Sequence, residues 1–189
     1  MKTLFASLLI TLLLAACKSP SGRSDEGGEG LPTSYPRGFS LSSEVFEEGG
    51  AIPQANSCDG VSDSPPLAWE ESPDGTLSFA LIMRDPDAPG GDFVHWILYN
   101  IPPGVSDLPA TLPGLGGIAH TGEHGINSVG TQSYIGPCPP SGMHHYCFTL
   151  YALDAELTFD AAPDGTELAT AMDGHVLGQA VLMGTYARK

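Results

Sequence analysis

The chain of 189 residues carries 22 acidic side chains against 7 basic ones, a formal net charge of −15 at pH 7. This acidic balance argues against a nucleic-acid-binding protein and against electrostatic attraction to anionic lipid. From residue 38 onward the length fits one domain with a sizeable core.

The chain begins with an apolar segment that is typical of a secretory signal. Lys2 precedes an apolar run over residues 4–15, which is too short to span a bilayer comfortably. The run ends in Leu-Ala-Ala-Cys, which resembles a bacterial lipobox with Cys17 as the acceptor. Cleavage after residue 16 would leave Cys17 to receive a diacylglycerol thioether and an N-acyl chain such as palmitate, and several acyl chains anchor a protein permanently. The alternative is an ordinary signal peptide with an incidental cysteine.

The acylated cysteine would open a disordered linker over residues 17–37. No residue before Leu31 could enter a core, and the composition is rich in Gly, Ser and acidic residues. We therefore expect a flexible tether that holds the domain off the membrane. Lys18 stands where an aspartate often retains lipoproteins at the inner membrane. This favours the outer membrane of a bacterial envelope, with the domain facing the periplasm or the cell surface.

The rest of the chain, residues 38–189, has the pattern of strands joined by Pro- and Gly-rich turns. Apolar or alternating runs predict strands within residues 39–46, 76–83, 93–99, 145–153 and 180–186. A helix is predicted over residues 165–172, with Asp164 as its cap and Asp173-Gly174 at its end, and a further turn over 175–179. Many short strands with turn signals predict a mainly β protein, a sandwich or a barrel.

Three cysteines remain if Cys17 is lipidated. An oxidising compartment favours the pairing of two of them. Cys147 lies in an apolar run and is expected to be a buried small hydrophobe, whereas Cys58 and Cys138 both lie in loops. The candidate disulfide is therefore Cys58–Cys138. The spacings fit no zinc-ligand pattern, so we assign no metal ligand and no cofactor.

Ionisable side chains cluster near the ends of the predicted strands. Asp85 and Asp87 follow one strand within Asp-Pro-Asp-Ala-Pro, and a hairpin would bring His95 of the next strand to the same end of the sheet. His144 and Tyr146 lie two residues apart in a later strand and so share a face. We expect these side chains to converge.

The preceding loop, residues 136–140, contributes few hydrogen-bond donors because its prolines lack N–H groups. The N–H of Cys138 is the obvious donor left to point inward. Imidazole, phenol and backbone N–H donors together suit a small anion, and Asp85 would favour the charged form of a nearby histidine or orient its tautomer. The alternatives are Asx turns at Asp85 and Asp87 and backbone-bonded histidines at 95 and 144.

These motifs together resemble the phosphatidylethanolamine-binding protein family, in the bacterial branch of its Raf kinase inhibitor-like group. The resemblance covers roughly residues 38–188. It rests on Asp-Pro-Asp-Ala-Pro at 85–89, His95 followed by an aromatic, Gly-Pro-Cys-Pro-Pro at 136–140 and His-x-Tyr at 144–146. Further support comes from the sequences at 58–60, 64–69, 127–130, 174–177 and 184–186.

The resemblance implies an antiparallel β-sandwich of two sheets with a short helical segment near the C-terminus, and an anion pocket at its edge. Family pockets accept phosphate-like groups and phospholipid head groups. The matching positions here are Asp85, Asp87, His95, Cys138 (through its backbone), Pro140, His144 and Tyr146.

The resemblance also implies a cis proline bond in the 85–89 loop, which we expect at Ala88–Pro89. Two departures stand out. Cys138 replaces a glycine of eukaryotic relatives, and only three residues separate Pro140 from His144, a shorter loop that would narrow the pocket or move its rim. The kinase-inhibitory surfaces of animal relatives cannot be transferred to this chain, because its sequence is that of an exported bacterial-type protein.

Three classes of function follow. The first, which we favour, is a membrane-tethered binding module for a phosphate-bearing small molecule or phospholipid head group. The second is an inhibitor or signalling protein that acts through a protein partner. The third is a hydrolase in which Asp85 with His95, or His144, activates water, with or without a metal. Against the hydrolase, the sequence has no Gly-x-Ser-x-Gly elbow and no Gly-rich phosphate loop.

Overall fold

The computed structural model describes residues 39–112 and 121–188. The predicted signal segment, Cys17 and the linker lie outside these residues. The described chain forms strands and one α-helix, as follows: β1 (Ser40–Ser42), β2 (Leu67–Glu70), β3 (Ser78–Asp85), β4 (Phe93–Ile101), β5 (Asp107–Leu108), β6 (Glu123–His124), β7 (Met143–Leu153), α1 (Gly165–Met172) and β8 (Val176–Ala187).

Two antiparallel sheets make up the fold. The smaller has the strand order β1-β2-β5 and the larger β6-β4-β3-β7-β8. The mainly β class, the two sheets and the single short helix near the C-terminus are therefore confirmed. Within residues 39–112 and 121–188, no helix is both long and apolar enough to cross a membrane.

The helix forms where the sequence predicts it because its first turn is capped reciprocally. Asp164 Oδ1 accepts the backbone N–H groups of Thr166 and Glu167, and the Glu167 carboxylate accepts the N–H of Asp164. The turn predicted over 175–179 is wrong, since β8 already begins at Val176. Gly174, at a φ of 80°, reverses the chain directly after the helix, and Val176 then pairs with Leu153.

Apolar side chains fill two layers on either side of the larger sheet. The layer between the sheets includes Trp69, Phe79 and Phe148. The layer between the larger sheet and the helix includes Tyr151 and Leu168. Burial of both faces of β3, β4 and β7 explains why these strands appear in the sequence as nearly continuous apolar runs.

One end of the larger sheet gathers the ends of three strands. β3 and β4 form a hairpin in which Asp85, the last residue of β3, lies opposite Phe93, the first of β4. β7 pairs with the other edge of β3, with Arg84 opposite Cys147. The last residue of β3 and the first residues of β4 and β7 are therefore neighbours.

Candidate functional site

A buried carboxylate–imidazole pair lies at this end of the sheet. Asp85 Oδ2 accepts a hydrogen bond from His144 Nδ1 at 2.7 Å, and Asp85 Oδ1 accepts the backbone N–H of Asp87 at 2.9 Å. Asp85 and His144 are 4% and 7% exposed. Both carboxylate oxygens are thus engaged, which fixes the plane of the carboxylate and of the imidazole it holds.

His95 reaches the same place through a β-bulge. Met83 lies opposite Trp96 and Arg84 lies opposite Val94, so His95 is the extra residue in β4. Val94 packs in the helix-side layer, whereas Trp96 packs between the sheets. The bulge interrupts the alternation of faces, and the ring of His95 lies edge-on to that of Tyr146 with 5.2 Å between the ring centroids.

The two buried histidines of this cluster have their Nδ1 atoms engaged, and their Nε2 atoms are unbonded within the described residues. His95 Nδ1 donates to the Ile135 carbonyl at 2.8 Å, and His144 Nδ1 donates to Asp85. Neither Nε2 has a hydrogen bond to the described part of the chain. Burial lowers the pKa of His95 against the opposing effects of the Ile135 carbonyl and the Asp85 charge, and the nearby His144 lowers it further. His95 is therefore neutral at pH 7, with a lone pair on Nε2.

Tyr146 supplies a buried hydroxyl group that lies near the Asp85 carboxylate and the Cys138 N–H. Its side chain is 0% exposed, and Oη makes no hydrogen bond that meets normal geometry within the described residues. Burial raises the pKa of Tyr146, and the negative charge of Asp85 and the contact of the hydroxyl with the Asp85 carboxylate raise it further, while the nearby backbone N–H of Cys138 acts in the opposite direction. The phenol therefore keeps its proton and remains able to donate it to a ligand.

Asp87 is placed differently from Asp85. Its side chain is 39% exposed, and Oδ2 accepts both the backbone N–H of His145 at 2.8 Å and His145 Nδ1 at 2.7 Å. Burial acts to raise the pKa of Asp87, but the two bonds from His145 outweigh it and lower the pKa. Asp87 is therefore an ionised clamp between the 85–89 loop and the start of β7, and the sequence analysis missed its partner His145.

The loop 136–140, which we call the site loop, brings Cys138 to the cluster. Cys138 is bonded to Cys58, the pair named from the sequence. Cys138 and Pro140 are exposed, whereas Cys147 is buried at 4% exposure. The expectation that Cys147 acts only as a small hydrophobe is wrong, because Cys147 is itself disulfide-bonded. Gly136 packs closely against Ser57, and a larger residue would clash, because an added Cβ would lie only 2.7 Å from the Cα of Ser57. Close packing against residues 54–62 thus fixes the loop. The predicted Cys58–Cys138 disulfide was the only sign of this contact in the sequence.

The expectation of a cis bond at Ala88–Pro89 is wrong. No peptide bond within residues 39–112 and 121–188 is cis. The orientation of the Asp85 carboxylate is set instead by its bonds to His144 and to the N–H of Asp87.

Two clefts in the described structure are lined by residues outside this cluster. One, of about 960 Å³, lies between the helix and the outer face of the larger sheet and includes Arg84 and Asp92 in its lining. The other, of about 640 Å³, lies beside β8 and includes Met143 and Tyr186. Neither includes Asp85, His95, His144 or Tyr146. We assign the candidate site by the convergence of unbonded polar atoms rather than by cleft size.

Permanent positive charge is missing from the cluster. Among the described residues, Arg84 and Arg188 are the only arginine or lysine side chains, and they pair with Asp92 and Asp59 respectively. Within the same residues, no group of three His, Cys, Asp or Glu side chains has an arrangement that could hold a metal ion. The chemistry available to the site is hydrogen bonding by a phenol, a backbone N–H and two imidazoles.

Comparison with known proteins gives a consistent picture. A family model described as phosphatidylethanolamine-binding protein matches residues 42–187. A UPF0098 protein of Methanothermobacter thermautotrophicus is 44% identical over 150 residues, covering 79% of this chain and 99% of the relative. The candidate lipoprotein LppC of Mycobacterium tuberculosis is 37% identical over 194 residues, covering 96% of this chain and 93% of LppC.

Two solved structures share the fold. A crystal structure of a candidate phosphatidylethanolamine-binding protein homologue from Chlamydia trachomatis superposes with a TM-score of 0.75 at 38% identity, covering 82% of this chain and all of that one. The crystal structure of Escherichia coli YbcL, described as a member of the mammalian family, has a TM-score of 0.73 at 32% identity, with coverage of 80% and 99%.

Proposed function

The chain belongs to the phosphatidylethanolamine-binding protein family, and from that premise we propose that it is an anion-binding module whose pocket holds a phosphate-type group. The group belongs to a small molecule or to a lipid head group. The observation that carries the proposal is the buried Tyr146 hydroxyl, which makes no hydrogen bond of normal geometry to the described residues and lies beside the Asp85–His144 pair and the N–H of Cys138. A buried donor without an acceptor is costly unless a ligand supplies one.

The neutral state of His95 favours a singly charged anion. With its Nδ1 already donating to the Ile135 carbonyl, neutral His95 offers only a lone pair at Nε2. A protonated phosphate oxygen can donate to that lone pair, while its other oxygens accept from Tyr146 and Cys138. Asp85 and Asp87 contribute negative charge at close range, which penalises a dianion more than a monoanion. A phosphodiester requires instead that one imidazole takes up a proton.

The test is ligand-dependent thermal stability. Inorganic phosphate should raise the melting temperature of the wild-type domain, because a ligand that binds only the folded state stabilises it. A parallel titration with short-chain phosphatidylethanolamine separates a free phosphate from a lipid head group: a larger shift with the lipid at equal concentration identifies the head group.

The informative variant is His144→Asn. The asparagine amide can replace Nδ1 as a donor to Asp85 but has no counterpart of Nε2, so the fold is kept and the phosphate-induced shift is lost. His175→Ala is the matched control. His175 also pairs with an aspartate, Asp154 at 2.8 Å, but both side chains are nearly half exposed and neither belongs to the cluster. An undiminished shift in His144→Asn would reject the assigned pocket.

We also propose that the domain is held at the bacterial envelope by a lipid on Cys17. The support is the lipobox-like sequence before Cys17 and the similarity to LppC, whose name describes a lipoprotein and whose alignment covers 96% of this chain. Cys17→Ser should transfer the protein from the membrane fraction to the soluble one. Continued recovery with the membranes would refute lipidation at this residue.

A hydrolase is the second candidate, and one observation favours it. The buried Asp85–His144 pair, with Nε2 unbonded, has the arrangement in which a carboxylate orients an imidazole as a general base. Turnover of a phosphomonoester that is lost in His144→Asn, and that is unaffected in His175→Ala, would establish catalysis. Binding without turnover would leave the binding module as the function.

A further inference from the structure

Three hydrogen bonds and a covalent bond attach the site loop and its approach to residues 54–62, which we call the supporting segment. Tyr134 Oη donates to the Asn56 carbonyl at 2.7 Å, and the N–H of Gly136 donates to Ser62 Oγ at 2.9 Å. The N–H of Cys58 donates to the Pro137 carbonyl at 3.1 Å. The covalent bond is the disulfide between Cys58 and Cys138, which links positions 80 residues apart.

These attachments are unevenly spread along the site loop. The three hydrogen bonds act on residues 134–137, and the last of them, at the Pro137 carbonyl, holds the planar peptide unit that also carries the Cys138 N–H. From Pro139 to Gly142 no hydrogen bond to the supporting segment is formed, although all of these residues are described. The disulfide is therefore the last attachment to that segment before the chain enters β7 at Met143.

The position of this last attachment matters because Cys138 also carries the donor. Pro137, Pro139 and Pro140 have no N–H, so the N–H of Cys138 is the single backbone donor between residues 137 and 140. That N–H lies near Tyr146 Oη. The side chain of one residue is thus tied to the supporting segment while its backbone faces the cluster.

We propose that the Cys58–Cys138 disulfide positions the Cys138 N–H in the anion pocket, so that reduction of the disulfide weakens anion binding without unfolding the domain. The inference rests on the proposed function. The hydrogen bonds at Tyr134, Gly136 and Pro137 survive reduction and keep the loop near its place. The peptide unit that carries the Cys138 N–H is then held directly to the supporting segment by the 3.1 Å bond from the Cys58 N–H alone, and the covalent link that fixes Cys58 against Cys138 is gone.

The reductant is a dithiol, which is either a small molecule or a thiol–disulfide exchange protein. Its thiolate attacks one sulfur of the pair and forms a mixed disulfide while the other cysteine leaves as a thiolate. The second thiol of the reductant then displaces the first cysteine. Two electrons and two protons pass to the pair, and the reductant leaves as a disulfide. Cys58 and Cys138 are both exposed residues, which permits this attack.

The experiment measures the dissociation constant of inorganic phosphate by calorimetric titration of the full chain, oxidised and after treatment with dithiothreitol. The double variant Cys58→Ser/Cys138→Ser is measured with and without the same reductant. Loss of one well-placed donor to an anion should weaken binding about tenfold. We expect this in the reduced wild type and in the untreated variant. The reductant should leave the affinity of the variant unchanged, which excludes an effect through any other cysteine.

The outcomes distinguish failure of the disulfide coupling from failure of the proposed anion-binding function. Equal phosphate affinity in oxidised and reduced wild type would overturn the coupling and leave the pocket assignment standing. A weakened affinity accompanied by loss of the near-ultraviolet circular dichroism signal would also overturn it, since the disulfide would then hold the fold rather than the donor. Failure of phosphate to bind the oxidised wild type would overturn the proposed function, and the coupling with it.

Discussion

Two aspartate–histidine pairs lie side by side at one end of the larger sheet, and they differ mainly in burial. His144 and Asp85 are joined at 2.7 Å with side-chain exposures of 9% and 6%. His145 and Asp87 are joined at the same distance with exposures of 33% and 39%. Adjacent histidines and aspartates two residues apart thus form an inner pair and an outer pair.

The difference arises because neighbouring residues of one strand point to opposite faces of the sheet and therefore have different surroundings. Successive side chains of β7 point to opposite faces, so the inner histidine joins Tyr146 and the outer one cannot. The outer pair clamps the 85–89 loop in partial contact with water, where an ion pair has little strength. The inner pair lies out of water, where removal of one partner is costly. The inner pair therefore fixes the orientation of the Asp85 and His144 side chains in the site. The outer pair fixes the 85–89 loop against the start of β7.

The largest expected effect comes from removing one aspartate from each pair. Asp85→Ala should lower the free energy of unfolding by about 3 kcal/mol, because it leaves a buried imidazole and a backbone N–H without acceptors. Asp87→Ala should lower it by less than about 1 kcal/mol, since its partner can bond to water. Urea denaturation at pH 7 measures both.

Asp85→Asn is the matched control for the inner pair. It keeps the volume and one carbonyl oxygen, so its loss of stability should lie between that of the alanine variant and zero. Equal losses in Asp85→Ala and Asp87→Ala would show that burial does not distinguish the pairs.

A smaller effect is expected from two tyrosines that are both buried. Tyr146 Oη makes no hydrogen bond of normal geometry to the described residues, whereas Tyr134 Oη donates to the Asn56 carbonyl. Tyr134→Phe should lower the free energy of unfolding by about 1 kcal/mol, and Tyr146→Phe should leave it unchanged or raise it. Tyr146→Phe should nevertheless weaken phosphate binding about tenfold, because the lost hydroxyl serves the ligand.

Denaturation curves and phosphate titrations of the two tyrosine variants check this contrast. A loss of stability in Tyr146→Phe as large as in Tyr134→Phe would mean that its hydroxyl has a structural partner. That result would remove the main support for the site.

The sequence predicts the long elements of this fold and misses the short ones, for a physical reason. β3, β4 and β7 have eight or more residues and two buried faces, so their apolar runs stand out. β5 and β6 have two residues each, too few to show any period, and they exist because β2 and β4 offer them a partner.

The site is predictable in part for the same kind of reason. Spacing along β7 puts His144 and Tyr146 on one face, and the β3–β4 hairpin puts Asp85 beside them. Alternation alone cannot orient His95, because His95 is the extra residue of a bulge that changes the face of the residues that follow it in β4. The bond between Asp87 and His145 depends on a loop geometry that no residue pattern specifies.

The smallest expected effect is on the pH dependence of stability, and it again separates inner from outer groups. The pKa of His95 is lowered from 6.5 in the folded protein. Below about pH 6.5, His95 therefore binds a proton in the unfolded chain but remains neutral in the folded one. Stability from this residue is therefore lost as the pH falls from 6.5 toward the lowered pKa, by at most about 1.4 kcal/mol per pH unit. The pKa of Asp87 is lowered from 3.8, so its contribution is present above that value and is lost only at more acid pH.

His95→Asn isolates this contribution, because asparagine can still donate to the Ile135 carbonyl but does not titrate. Urea denaturation at pH 7.5, 6.5 and 5.5 should give a shallower loss of stability in the variant than in the wild type. Saturating sulfate, which does not titrate in this range, should reduce the wild-type loss, since a bound anion favours protonation of the His95 Nε2 that faces it. Parallel curves for the two proteins, with and without sulfate, would mean that His95 neither titrates with folding nor contacts the anion.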